Sequence, residues 1–316
     1  MTAHQIIIDT DPGQDDAVAI LMALASPEIK VLGLTAVAGN VPLDLTQKNA
    51  RRICELADRS DVSVMAGCDR PLTGKLVTAE HVHGETGLDG LEWPSPTMPL
   101  SETHAVDWLV QTIMAAPPQT VTLCPVGPLT NVGLAIAREP NIATRLKAIV
   151  LMGGGFFEGG NITPTAEFNI YVDPVAAKIV FESGASLVMA PLDCTHTASY
   201  TKAWREKLAT IDNRVARGVA KMLAFYEDFD RRRTKEDWAP LHDPCVIAYL
   251  LRPELFESRD CAVQIVTTPG ETFGMTVVDW WGVREQPANC KVLRRVDRDA
   301  FLDLIFELME RYQKLT

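Results

Sequence analysis

Paired cysteines are missing from this chain. Its seven cysteines stand singly, mostly inside apolar runs, and none forms a Cys-x-x-Cys pair. That spacing offers neither a structural zinc site nor a disulfide framework, so reduced, buried thiols are expected. A basic excess is missing too: 30 Lys and Arg face 41 Asp and Glu, for a formal net charge of −11. Neutralising a polyanion needs clustered cations, so a nucleic-acid partner is excluded. The densest basic run, Arg231-Arg232-Arg233, lies among acids and reads as a solvated helix face. No apolar run is long enough to span a bilayer, the longest being Ala17 to Ala25. The N-terminus does not read as a signal peptide, because Ile6-Ile7-Ile8 runs straight into acids. A cytoplasmic protein is expected. Repeats, low-complexity tracts and a convincing interdomain linker are also absent from the sequence.

What is present is apolar residue in quantity, 47% of 316 positions, enough for one large core. Short β-rich runs at 5–8, 31–36, 62–65, 120–123, 148–152 and 187–189 alternate with helical patterns near 15–25, 43–58, 102–115, 130–138 and 174–183. This alternation predicts βαβ units and an α/β fold, a mostly parallel central sheet flanked by helices in one domain over 1–316. Runs at 261–267 and 274–278 read as a later hairpin or edge addition, and 298–314 as a closing helix. Two stretches break the rhythm, 67–100 and 226–242. Irregular segments of that length in a compact domain are usually functional or mobile, and either is placed to close over a pocket.

In open α/β sheets ligands bind beyond the carboxyl ends of the strands. The unusual polar residues gather there: Asp9-Thr10-Asp11-Pro12-Gly13-Gln14-Asp15-Asp16 after the first strand, and Gly39-Asn40 after the second. Pro125-Val126-Gly127-Pro128-Leu129-Thr130-Asn131, Met152-Gly153-Gly154-Gly155 and Asp193-Cys194-Thr195-His196 follow later strands. Two carboxylates about 4 Å apart repel by roughly 4 kcal/mol at an effective dielectric of about 20. A hard cation removes that cost, and oxygen ligands select calcium or magnesium over zinc. Helix capping by Asp15 or Asp16 accounts for one or two of the four acids, not all. The triple glycine lacks dinucleotide-loop spacing. An aspartate-nucleophile phosphatase needs a small hydroxyl residue soon after Asp11, where Pro12-Gly13-Gln14 stands. Asn161, Glu167 and Asn169 supply amide and carboxylate groups that can pair vicinal sugar hydroxyls. His242-Asp243 and His83 are left open between function and solvation or capping.

Taken together these residues resemble the inosine–uridine-preferring nucleoside hydrolase family over nearly the whole chain. The hallmark is the 9–16 stretch. Gly127-Pro128-Leu129-Thr130-Asn131, Glu167-Phe168-Asn169-Ile170-Tyr171-Val172-Asp173-Pro174 and Leu241-His242-Asp243-Pro244 also match. The segments 83–90 and 274–279 look most like the bacterial branch that prefers pyrimidine nucleosides. The resemblance implies an open Rossmann-like fold and a calcium ion held by Asp11, Asp16, the Val126 carbonyl and Asp243. Asp15, Asn40, Asn161, Glu167 and Asn169 would grip the ribose, with Met152 packing near it. Asp11 would be the general base, and His242 or His83 would stand on the base side. Cleaving a C1′–N bond builds positive charge on the ribose, which carboxylates stabilise. The implied substrate is a ribonucleoside, and the implied assembly a homo-oligomer, dimer or tetramer. Spacing does not choose which of Tyr226, Phe229, Arg233 or Trp238 reaches the base. A metal-dependent sugar phosphatase and a non-catalytic nucleoside or calcium binder are the competing readings.

Overall fold

The computed structural model describes residues 3–235 and 237–312, the side chains of 230–234 excepted. The expectations for the side chains of Arg231, Arg232 and Arg233, and for the closing helix beyond 312, lie outside the described residues. The strands are β1 (His4–Thr10), β2 (Ile29–Ala36), β3 (Val64–Ala66), β4 (Val121–Pro125), β5 (Ala148–Met152), β6 (Leu187–Ala190), β7 (Ser199–Thr201), β8 (Trp238–Pro240), β9 (Phe256–Ile265), β10 (Thr276–Asp279) and β11 (Cys290–Val296). The helices are α1 (Gln14–Ala25), α2 (Leu43–Leu56), α3 (Glu80–His83), α4 (Ala105–Ala115), α5 (Thr130–Arg138), α6 (Asn141–Arg145), α7 (Phe168–Val172), α8 (Pro174–Phe181), α9 (Leu192–Thr195), α10 (Lys202–Leu208), α11 (Arg214–Thr234), α12 (Pro244–Leu251) and α13 (Arg298–Arg311).

Nine strands form one sheet in the order β10-β9-β11-β6-β5-β4-β1-β2-β3. The run from β11 to β3 is parallel, and β9 pairs antiparallel with both β11 and β10. The 261–267 and 274–278 runs are therefore the hairpin expected, at the sheet's edge. β11 itself has no clean sequence signal, because a register shift between Leu293 and Arg295 breaks its alternation. β7 and β8 make a separate antiparallel pair.

A parallel strand buried on both faces reads as a continuous apolar run, as Ile6-Ile7-Ile8 does. Ile6 and Ile8 enter the core shared with α1, α2, α11, α12 and α13. Ile7 points the other way, into the core shared with α4, α5 and α8. On that second face α5 and α8 pack so closely that a Cβ on Gly133 would stand 2.8 Å from the Ala176 Cα. Gly133→Ala is expected to cost about 1–3 kcal/mol through overpacking, read as a lower Tm with unchanged substrate preference. Among the described residues no helix is long and apolar enough to cross a membrane.

The order β3-β2-β1-β4-β5-β6 reverses direction between β1 and β4. Loops leaving those two strands diverge, and the crevice between them is where such sheets bind ligands.

Candidate active site

β1 ends at the crevice and α1 begins there, so the intervening residues Asp11, Pro12 and Gly13 are held at both ends. Asp9 turns to Thr35 on β2 and Asn131 on α5, whose side chains donate to its Oδ1. It ties three elements together and is not among the grouped carboxylates. Asp16 receives the Thr10 hydroxyl on Oδ1 at 2.5 Å and the Gly13 amide on Oδ2 at 2.9 Å. It therefore caps α1 as well as facing the crevice. The Asn40 amide N–H donates to Asp11 Oδ2 at 2.7 Å, and the Asn40 side chain donates to the Asp11 carbonyl at 3.1 Å.

Two glycines make room for the Asp11 carboxylate. A Cβ on Gly39 would overlap Oδ2, and one on Gly127 would stand 2.5 Å from Oδ1. Oδ1 is buried and has no hydrogen-bond partner among the described residues. Asp243, at the N-cap of α12, makes no side-chain capping bond. It joins Asp15 and Asp16 instead: one oxygen of each lies within 4.8 Å of the others, all three residues buried.

Burial, then the neighbouring Asp16, pushes Asp15 up to about 7 and Asp11 well above the usual carboxylate range. Asp243 is raised by burial and by Asp15, Asp16 and Asp11. Grouped, buried carboxylates with one orphaned oxygen are what a hard divalent cation satisfies, so the residues fit the cation the sequence implied. The tight group contains Asp15, which the sequence placed with the ribose ligands, while Asp11 stands beside it. The Val126 carbonyl accepts from Asn169 Nδ2 at 3.0 Å and retains a second lone pair.

Above this floor opens a cavity of ≈ 340 Å³, lined by Asp15, Asn40, Val126, Met152, Asn161, Glu167, Asn169, His83, His242 and Asp243 among others. Its size is within the range of small-molecule sites. Asp11 and Asp16 are not among its lining residues. The groups expected to face the sugar are anchored by the backbone they support. Glu167 caps α7, its Oε1 accepting from Asn169 N at 2.9 Å and its Oε2 from Gly154 N at 2.9 Å. Burial raises its carboxyl to about 7. Asn161 Oδ1 accepts from Phe168 N at 2.9 Å, which leaves its amide N–H groups for the cavity.

Both irregular stretches reach the cavity. Ala79 and His81 to His83 line one wall; Tyr226 and Phe229 on α11 line the next, His81 and Phe229 meeting edge to face with centroids 5.7 Å apart. Trp238 does not line it. His242 Nδ1 lies 2.7 Å from the Thr195 hydroxyl, and its ring centroid lies 5.8 Å from that of His196. Burial, then His196 and His83, lowers His242 to about 3, so the resting ring is neutral. His196, Phe168 and Ile162 are walls for which the sequence offered no role. His196 stood in the Asp193-Cys194-Thr195-His196 segment, the only signal that pointed to it.

A carboxylate floor suited to a cation, under a polar cavity at the switch point of a parallel sheet, defines an α/β enzyme for a small hydroxylated ligand. The chain belongs to the inosine-uridine preferring nucleoside hydrolase family, whose model matches residues 6–303. It is 46% identical to the pyrimidine-specific ribonucleoside hydrolase RihA of Photobacterium profundum, over 98% of this chain and 100% of that one. It is 47% identical to an uncharacterised protein of Schizosaccharomyces pombe, over 97% of this chain and 99% of that one. A plant nucleoside hydrolase structure superposes with a TM-score of 0.91 at 34% identity, covering 97% of this chain and 99% of that one. A purine-preferring ribonucleoside hydrolase structure from Gardnerella vaginalis gives 0.92 at 28% identity, covering 99% and 100%. The expected fold and family are thus both found, and membership makes this chain an enzyme that hydrolyses ribonucleosides.

Proposed function

We propose that the protein hydrolyses pyrimidine ribonucleosides, uridine and cytidine, to ribose and free base, with calcium as its cation. The observation that carries this is the buried carboxylate group Asp15, Asp16 and Asp243, two of whose members, Asp15 and Asp243, line the same cavity as Asn161, Glu167 and Asn169. Asp11, Asp16, Asp243 and the Val126 carbonyl would hold the ion. Bound there, it supplies a Lewis acid that acidifies a water and orients vicinal hydroxyls. Asp11 accepts the proton of the attacking water, whose oxygen bonds to C1′ as the C1′–N bond breaks. The bonding pair leaves with the base, which takes up a proton. Asp15, Asn40, Asn161, Glu167 and Asn169 pair the ribose hydroxyls, and the carboxylates among them oppose the positive charge growing on the ring. The pyrimidine assignment is supported by the greater identity to the pyrimidine-specific relative than to the purine-preferring structure. Among the described residues no Lys or Arg lines the cavity, which leaves a phosphate unpartnered and disfavours a phosphatase. A panel of uridine, cytidine, inosine and adenosine scored for free ribose tests the assignment. The pyrimidine pair should turn over fastest, and faster release from inosine or adenosine would contradict it.

His242 stands on the base side of this arrangement. If its ring donates to the leaving base, His242→Ala should slow uridine hydrolysis about 10²–10⁴-fold. The same variant should spare p-nitrophenyl riboside, whose leaving group departs as a stable anion. Equal losses on both substrates would assign His242 to structure or sugar binding.

A further inference from the structure

A buried primary amide has two N–H donors and one carbonyl to satisfy, and Gln14 satisfies them all on one distant loop. Its Nε2 donates to the His83 carbonyl at 2.9 Å and to the Asp89 carbonyl at 3.2 Å. Both partners are acceptors only, so the amide cannot be turned round without facing oxygen against oxygen. Its Oε1 lies 2.7 Å from His83 Nδ1. An amide oxygen has only lone pairs to offer, so the hydrogen between them belongs to Nδ1. Burial, then His81, lowers His83 to about 3, so the ring is neutral and carries one proton. That proton is the one shared with Gln14.

We propose that Gln14 locks His83 in its Nδ1–H form, so that Nε2 meets the nucleoside as a hydrogen-bond acceptor and never as the proton source for the leaving base. The inference deepens the proposed function and takes the identity of the ligand from it. His83 lines the cavity, and its Nε2 has no hydrogen-bond partner among the described residues. The ring plane is fixed by stacking on Tyr226, with centroids 5.7 Å apart and planes 24° from parallel. Close approach is built in at Gly13, where a Cβ would overlap Nδ1 and stand 2.7 Å from Cε1. Gln14 precedes Asp15 and Asp16, so one helical turn sets both the carboxylate floor and this wall. A bare Nε2 takes a donor: the ribose 5′-hydroxyl, or an N–H on the edge of the base. Gln14 is a positioning residue, acting through His83.

Nitrogen NMR of the cation-loaded protein carrying ¹⁵N-histidine tests the lock, with His83→Ala assigning the signals. His83 should show a protonated Nδ1 and a bare Nε2 around neutral pH; a protonated Nε2 would overturn the proposal. In folded Gln14→Leu the Nε2 signal should move toward the protonated form, and an unchanged spectrum would remove Gln14 from the account. Should that variant fail to fold, the wild-type spectrum still decides the tautomer. Kinetics identify the donor. Relative to uridine, either 5′-deoxyuridine or 3-methyluridine should lose about tenfold in kcat/KM, the size of one hydrogen bond. That loss should vanish in His83→Ala. Relief with the first analogue places the hydroxyl on Nε2, relief with the second places the base there, and losses that persist in both contradict the acceptor role. Absence of turnover with every nucleoside would defeat the hydrolase reading alone, since the NMR result stands without activity.

Discussion

Asp11→Ala is expected to lower kcat for uridine by about 10⁴-fold, the upper end for loss of a general base. Two demands meet in this side chain. Its Oδ2 is held by the Asn40 amide at 2.7 Å, while Oδ1 is buried with no donor among the described residues. Asp11→Asn keeps the shape and removes the basicity, so it should fall nearly as far. Prolonged chelation should abolish activity of the wild type, and added calcium should restore it. Chelation should also lower Tm, because Asp15, Asp16 and Asp243 are left facing one another. Burial and mutual repulsion raise these carboxyls, so protons compete with the ion and its affinity should weaken as pH falls. Asp11→Asn activity within tenfold of wild type, or full activity in protein free of any divalent ion, would show that this floor is not the catalytic one.

Uridine should exceed 2′-deoxyuridine in kcat/KM by about 10⁴-fold or more. The reason is pre-orientation. Glu167, Asn161 and Asn169 each carry a backbone or side-chain bond that fixes the group before any sugar arrives. A missing hydroxyl leaves such groups desolvated and unpaired, a cost no rearrangement of a fixed wall recovers. The 3′-deoxy analogue should behave alike. Specificity constants within tenfold of each other for uridine and 2′-deoxyuridine would show that these residues serve the loop and not the ligand.

The residues nearest the strand ends were the legible ones. Asp11, Asp15 and Asp16 follow β1, Asn40 follows β2 and Val126 follows β4, so the switch-point rule gathers them once the alternation of strand and helix is read. Gly39 and Gly127 stood in those same segments, and their need to be glycine appears only when the Asp11 carboxylate is seen between them. Asp9 shows the opposite case. Sequence proximity counted it with the other acids, yet the pleat delivers it to Thr35 and Asn131. The wall that His81 and Phe229 share was legible only as two irregular stretches able to close over a pocket, with Phe229 one of several candidates, because their contact is made by tertiary packing across a long stretch of chain. Gln14 was visible inside the hallmark stretch but its partners, His83 and Asp89, lie in a segment with no periodicity to place it.

The central claim is that this cavity cuts a ribonucleoside with water. Purified protein incubated with uridine and calcium, in buffer without phosphate, tests it most directly when both products are quantified by chromatography and a reducing-sugar assay. Uracil and free ribose should appear in equal amounts, at a rate that added phosphate leaves unchanged. Folded, calcium-loaded protein that releases neither from uridine, cytidine, inosine or adenosine, or that forms a sugar phosphate only when phosphate is supplied, would contradict it.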